Sequence, residues 1–281
     1  MLGKSLLNTV FGNTPAFSHQ YAILSAPVRH SFMIGTIWLL TKEQGTKQDL
    51  NILEIGSWYG ASALSWVQGL IEHNESKGSI TCVDAWKSFF DTALHQNQVY
   101  IEMEKALVSD VAYNIFLHNI STIPETINAQ HFRAASDRAL PLLCSEKFDV
   151  VFIDADHTYE PVKLDITNSL RLVREGGIIC GDDLNLQYHQ VDNVTLMKSK
   201  ELDFIKDPTM NRNYHPGVTL AVYEIFGGEV SSWGGFWAMQ KKQDQWVKID
   251  LSNMPISYPK HFPEKAINDA KAHMNDVLNR C

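Results

Sequence analysis

The chain has 281 residues, long enough to bury about three quarters of its unfolded surface as one large domain. Hydrophobic residues at 44% and charged residues at 20% describe an ordinary globular protein. With 24 Lys and Arg against 32 Asp and Glu, the net charge of −8 offers no basic field for nucleic acid or an anionic membrane, and neither is expected as a partner.

Residues 1–50 open with turn-like stretches, Gly12-Asn13-Thr14-Pro15 and Ser25-Ala26-Pro27, followed by an apolar run over 32–40 that suits a helix. This segment reads as an N-terminal helical cap whose Phe17, His19, Tyr21 and His30 are expected to pack against the main domain, with lining of a substrate mouth as the alternative. No stretch approaches the ~20 apolar residues of a membrane span, and the start lacks a charged leader followed by an apolar run. Cys82, Cys144, Cys180 and Cys281 show no Cys-x-x-Cys spacing, which suits a reducing compartment. The expectation is a cytoplasmic protein, and a homo-oligomer is compatible with it.

The chain is organised around residues 51–60. Ile52, Leu53 and Ile55 form a short apolar run broken at Gly56, and a helical pattern of Ala63, Leu64, Val67, Leu70 and Ile71 follows Gly60. Strand, tight turn and helix start make a ligand-cradling junction, with Gly56 free to take positive φ and the helix N–H groups aimed over the turn. The spacing is Gly-x-x-x-Gly after Glu54, not the Gly-x-Gly-x-x-Gly that a pyrophosphate requires.

Residues 79–84 read as a second buried strand ending in Asp84, which is placed to receive a ribose diol on its two carboxylate oxygens. Residues 85–129 become helical, with Val99, Met103, Ala106, Leu107 and Val111 as one stripe up to Pro124, and part of the section is a candidate lid. A third strand with its exit turn is expected over 131–136 and a short helix over 137–143. Ala135 and Ser136 are candidates to edge the cofactor's base, with Ser136 or Asp137 as the helix cap.

Residues 148–153 form the clearest buried strand, and it ends in Asp154-Ala155-Asp156-His157-Thr158-Tyr159-Glu160. A helix carrying Val162, Ile166, Leu170 and Val173 is expected next, closed by Gly176-Gly177. A fifth strand over 177–181 ends in Asp182-Asp183. Residues 184–213 read as irregular. The run 218–226, the stretch 231–240 and residues 247–251 read as a closing hairpin of long strands with Trp233 and Trp237 in the core; the tail over 263–280 reads as a surface helix. Alternating strands and helices imply a parallel sheet with ligands at the carboxyl ends of its strands, where Glu54, Asp84, Asp154 and Asp182 fall.

Four stretches carry a resemblance: Leu53-Glu54-Ile55-Gly56-Ser57-Trp58-Tyr59-Gly60, Val83-Asp84-Ala85-Trp86, Ile153-Asp154-Ala155-Asp156-His157-Thr158-Tyr159-Glu160 and Gly176-Gly177-Ile178-Ile179-Cys180-Gly181-Asp182-Asp183. In this order they resemble class I S-adenosylmethionine-dependent methyltransferases, and the third resembles the small-molecule O-methyltransferases that act on natural-product sugars, with the catechol type more distant. The resemblance implies an α/β, Rossmann-like doubly wound fold whose mostly parallel seven-stranded sheet has an antiparallel last strand. The domain would span 51–251, between the cap at 1–50 and a tail helix at 252–281. It further implies that Glu54 and Gly56 meet the methionine end of S-adenosyl-L-methionine, Asp84 its ribose, and Ala135 and Ser136 its adenine, with Ser57, Gly60, Ser62, Ala85, Trp86 and Asp154 around them.

Transfer of a methyl group from sulfonium to oxygen needs alignment and a more nucleophilic hydroxyl. A Mg2+-class divalent cation would supply the second, and neighbouring parallel strands, ~4.8 Å apart, can converge Asp154, Asp182 and Asp183 on one hard ion. Without it, His157 is the alternative base, and Asp154 and His157 are the expected catalytic pair. The expected function is therefore methylation of a small-molecule hydroxyl, a sugar or another natural product. The rival readings are a nicotinamide-dependent dehydrogenase, which the glycine spacing disfavours, and a non-catalytic binding module of the same fold.

Overall fold

The computed structural model describes residues 2–17, 21–45, 47–88 and 97–278, with side chains from residue 7 onward. His19, Cys281 and residues 89–96 of the expected lid lie outside the described residues. Among the described residues, no helix is long and apolar enough to cross a membrane.

Five parallel strands form the body of one sheet: β1 (Leu50–Ile55), β2 (Gly78–Asp84), β3 (Asn128–Arg133), β4 (Phe148–Ile153) and β5 (Val173–Leu184). The order β3-β2-β1-β4-β5 reverses direction between β1 and β4, which opens a crevice at the carboxyl ends of those two strands. A short antiparallel pair, β6 (Ile205–Lys206) and β7 (Asn213–Tyr214), stands apart from this sheet. Antiparallel strands β8 (Ser231–Trp233), β9 (Gly235–Lys242) and β10 (Gln245–Lys248) complete the main sheet on the β5 side. The expected path of seven strands is present, and β8 adds an eighth beside β9.

Buried parallel strands are covered on both faces, so consecutive apolar residues serve opposite layers. Ile52, Val150, Ile178 and Ala238 point to one face. There they join Phe32 and Ile37 of α2 (Pro27–Gln44) and Trp66 and Leu70 of α3 (Ala61–His73). Their neighbours Leu53, Val151, Ile179 and Met239 serve the other face. They meet Val162 and Ile166 of α7 (Tyr159–Leu170) and Val218 and Ala221 of α9 (Pro216–Phe226). The remaining helices are α1 (Leu2–Phe11), α4 (Gln98–Val108), α5 (Val111–Ile120), the short α6 (Ser136–Ala139), α8 (Asn193–Ser199) and α10 (Glu264–Leu278). Ala270 and Met274 of α10 enter the same core as α2, as do Trp233 and Phe236 from the hairpin.

Several elements differ from the sequence expectation. Residues 218–226 lie in helix α9, not a strand: Pro216 occupies its first turn and Gly227 closes it at φ 69°. Its mostly apolar run, interrupted by Thr219 and Glu224, is explained by burial of the whole circumference of its first turns over 216–222, which erases helical alternation there. Helix α7 ends at Leu170, and Val173 begins β5, which runs through Asp182 and Asp183. The stripe expected over 99–111 is cut at Asp110, whose φ is 57°, so that Ala106 and Leu107 are buried while Val111 is 42% exposed. β3 begins at Asn128, earlier than expected, and the segment 184–213 holds α8 and β6.

Candidate active site

The turn after β1 is shaped by backbone contact. Gly56 has φ 86°, and a β-carbon added there would come within 1.9 Å of the Asp154 carbonyl oxygen. The close approach that requires glycine is therefore made by the β4 exit, not by a ligand. Asp154 N donates to Ile55 O at 2.8 Å and Gly56 N to Val83 O at 2.9 Å, so the exits of β4, β1 and β2 are tied side by side. Gly60, also at φ 86°, precedes the first turn of α3 and faces Phe116.

Glu54 is fully buried at the end of β1, with Ser57, Ser62 and Cys82 around it, yet neither carboxylate oxygen makes a well-formed hydrogen bond. Burial pushes its pKa up to about 7, against the pull of those three side chains. A buried acid with unmet acceptors at a crevice is suited to a cationic ligand group.

Asp84 holds the two loops of the crevice together. Its Oδ2 accepts from Ser57 N (3.0 Å) and Trp58 N (2.9 Å), and its Oδ1 from Trp86 N (2.6 Å). Burial raises its pKa and these backbone donors oppose the rise. A carboxylate has about four acceptor positions, so three backbone bonds leave room for about one ribose hydroxyl, not the diol that was expected. Trp86 is 1% exposed, packs on Phe116 and donates Nε1 to Trp58 O at 2.7 Å, which makes it a core residue and not a ligand contact. Ala85 is half-buried beside it. Ala134 N bonds Asp84 O at 3.0 Å, which sets exposed Ala135 and half-buried Ser136 on the same edge.

At the ends of β4 and β5 the acids are partnered. Arg29, from the first turn of α2, reaches Asp182 Oδ1 at 2.8 Å and Asp183 Oδ1 at 2.6 Å, and donates Nε to Gly234 O at 2.8 Å. Ser25 Oγ donates to Asp182 Oδ2 at 2.8 Å. Both oxygens of Asp182 are thus engaged, and its side chain is 1% exposed. The pair splits electrostatically. Burial pushes Asp182 up to about 6 against the pull of Arg29. Asp183 falls below the usual carboxylate range because Arg29, His157 and His215 outweigh its burial. Asp154, Asp182 and Asp183 do not converge on an open point, and this donor set does not fit the magnesium-type ion expected there. The physical reason is that two buried acids on adjacent residues need a cation of the protein's own, and Arg29 is that cation.

His157 lies inside the same cluster. Its Nδ1 meets Asp203 Oδ1 at 2.7 Å, and its Nε2 stands 3.1 Å from Asp183 Oδ2 and 3.7 Å from Asp154 Oδ1. Burial opposes its charge, but Asp183, Asp154 and Asp156 overcome that and lift its pKa to about 9. In this arrangement His157 is protonated at neutral pH and donates hydrogen bonds, so it is not the free base expected from its ordinary pKa. His215 completes the group, with Nε2 3.5 Å from Asp183 Oδ1 and Nδ1 3.3 Å from Asp203 Oδ1. Arg29, Asp183 and His215 line a cavity of about 260 Å³ with Leu24, Phe204 and Asn213. Arg29, Asp203 and His215 were not singled out from sequence: Arg29 sits in the cap, Asp203 in an irregular stretch, and His215 reads as part of a Pro-Gly turn.

A doubly wound sheet with a glycine turn after β1 and acids at the ends of β2, β4 and β5 is a Rossmann-like fold. Residues 53–184, just under half of the chain, match the family described as "Methyltransferase domain". Among solved structures it is similar to an O-methyltransferase from Bacillus cereus in complex with SAH (20% identity, 88% of this chain and 91% of that one, TM-score 0.42). It is similar also to a TDP-rhamnose 3'-O-methyltransferase of calicheamicin biosynthesis (11% identity, 85% and 93%, TM-score 0.41) and to a Corynebacterium glutamicum protein (13% identity, 86% and 90%, TM-score 0.43). No curated protein matches the chain.

Proposed function

We propose that the protein transfers a methyl group from S-adenosylmethionine to a hydroxyl of a small molecule. The observation that carries this reading is the adjacency of two unlike sites across β1 and β4. Glu54, with unmet acceptors, stands at one strand end, and the imidazole–carboxylate cluster of His157, Asp183, Asp203 and His215 begins at the next. Glu54 would hold the methionine ammonium and Asp84 one ribose hydroxyl. Bound there, the cofactor supplies an electrophilic methyl group.

The acceptor would occupy the cavity beside Asp183 and His215, whose lining mixes polar groups with Leu24 and Phe204 and suits a hydroxylated ring. In the transfer the acceptor oxygen bonds to the methyl carbon as the sulfur–methyl bond breaks, and the hydroxyl proton passes to the cluster. His215 is the imidazole that lines the cavity, with Asp203 Oδ1 3.3 Å from its Nδ1. Amines that are unprotonated near neutrality need no such array, which favours oxygen as the acceptor.

The test is calorimetry with S-adenosylhomocysteine, followed by product mass spectrometry against a panel of hydroxylated sugars, phenols and polyketides. An O-methyl product supports the reading. An N- or C-methyl product overturns the oxygen assignment, and failure to bind the cofactor product overturns the whole.

A further inference from the structure

The cavity beside His215 has a polar floor and a mostly apolar rim. Arg29, Asp183 and His215 form the floor, with side chains 13%, 15% and 17% exposed, and Asn185 lies half-buried among them. At the mouth stand Leu24 (50% exposed), Phe204 (46% exposed), Ala26 and Asn213, none of which carries a charge. The ring centroid of Phe204 lies 6.1 Å from that of His215, so the apolar wall reaches down to the imidazole. Large apolar side chains exposed singly need no explanation, but two on the rim of one cavity, brought there from the cap and from the segment after β5, do. All three nitrogens of the Arg29 guanidinium are engaged: Nε with Gly234 O, Nη1 with Asp182 and Asp183, and Nη2 with the Asn185 amide oxygen at 2.9 Å, in the amide orientation whose nitrogen donates to Asp183 O at 3.1 Å. Arg29 and His157 together face three carboxylates, Asp182, Asp183 and Asp203. The floor therefore holds no unspent positive charge for an anion.

We infer that the acceptor is uncharged and amphipathic: a hydroxylated ring that enters the floor, carried on an apolar body that rests against Leu24, Ala26 and Phe204. This acceptor class rests on the methyltransferase reading for its chemistry but not for its binding. Pockets that bury a whole drug-sized ligand measure about 300–1,000 Å³, whereas this cavity holds about 260 Å³, so one ring fits and the rest of a larger molecule lies on the rim. A free sugar would fill the floor and leave the apolar rim wet. A nucleotide sugar would lay its diphosphate on uncharged side chains above three carboxylates, losing hydration without gaining an ion pair. An apolar body instead gains from its own burial, and each methylene brought against Leu24 or Phe204 strengthens binding by up to about fourfold. Apart from Asp183, every residue lining the cavity lies outside residues 53–184. The selection is thus made by the cap and the segment after β5, and not by the part of the chain that matches the family.

The test is calorimetric titration of the full chain with matched ligands, in excess S-adenosylhomocysteine whose own binding is measured first. Glucose, rhamnose and hydroquinone are each supplied as the hexyl, the methyl and the phosphate derivative. For at least one ring the hexyl member should bind about tenfold more tightly than the methyl member, and no phosphate should bind more tightly than its methyl counterpart. Leu24→Ser combined with Phe204→Ser, both at exposed positions, should bring the hexyl-to-methyl ratio close to one, while unchanged S-adenosylhomocysteine binding shows that the variant is folded. Four results overturn the acceptor class and leave the methyltransferase reading standing: a phosphate that binds most tightly, a hexyl member no tighter than the methyl, a preference that survives the double variant, or no member bound by a chain that holds S-adenosylhomocysteine. A hexyl preference lost in the double variant, on a chain that does not bind S-adenosylhomocysteine, upholds the amphipathic site and overturns the methyltransferase reading.

Discussion

Gly56 lies against Asp154 with no room for a side chain: a β-carbon on the first would reach 1.9 Å from the carbonyl oxygen of the second. The contact joins the two strand ends that flank the crevice, so the cofactor-side turn and the acid-rich loop share one backbone position. Gly56→Ala would combine this clash with a left-handed φ. The expected outcome is a loss of at least ~3 kcal/mol in urea unfolding, with S-adenosylhomocysteine affinity falling in parallel. An alanine variant as stable as the parent would show that the two strand ends separate freely.

Glu54 makes stability pH-dependent in a defined direction. Its folded-state pKa, about 7, is above the ordinary 4.5, so the folded chain binds the proton more tightly and stability falls as pH rises from 4.5 to 7. Glu54→Gln removes that penalty. It should leave stability near the parent's at pH 4.5 and raise it by about 2–3 kcal/mol at pH 8, as read from unfolding midpoints. In the parent, a cationic ligand group beside Glu54 would favour ionisation, so calorimetry at pH 6.5 in buffers of different ionisation heat should detect proton release.

Asp84→Asn replaces one of two oxygens that together accept three backbone N–H groups. Whichever way the amide turns, its NH2 faces a backbone donor. The variant should lose about 1–3 kcal/mol of stability and bind S-adenosylhomocysteine more weakly. Weaker binding at unchanged stability would mean that the carboxylate serves the ligand alone.

Removing the cation between the paired acids has an opposite pH signature from removing a surface charge. In Arg29→Met, Asp183 keeps the protonated His157, but Asp182 is left buried without a counter-ion and folding must protonate it. The loss should be about 3–5 kcal/mol near neutrality and smaller at pH 5 than at pH 8, because acid supplies the missing proton. A loss independent of pH would point to packing of the guanidinium and not its charge.

His215→Ala should reduce kcat by about 10²–10⁴-fold if proton removal from the acceptor depends on this ring, with cofactor affinity unchanged since Glu54 and Asp84 are untouched. Single-turnover kinetics with a substrate found by the metabolite panel would check it.

The parallel core was legible because a strand buried on both faces is a continuous apolar run ending in a polar turn. β1, β2 and β4 each end within a residue of where such a run stops, at Glu54-Ile55, Asp84 and Ile153. The same rule misread residues 218–226, since a helix buried around most of its circumference also loses its alternation; Pro216 and Gly227 at its two ends carried the correct signal.

The amino-acid order by itself determined the fold class, the turn at Gly56 and the positions of Glu54, Asp84, Asp154 and Asp182–Asp183 at strand ends, because these follow from local patterning and βα alternation. Only the tertiary structure decided what those groups face. Arg29 meets Asp182 and Asp183 across more than 150 residues, and Asp203 and His215 reach His157 from a segment whose local pattern is irregular. Charge pairing in a buried site depends on distances of 3–4 Å, which no spacing along the chain encodes. Two of the three acids that read as an open metal triad, Asp182 and Asp183, are neutralised by an arginine, and the histidine that read as a free base is held between carboxylates.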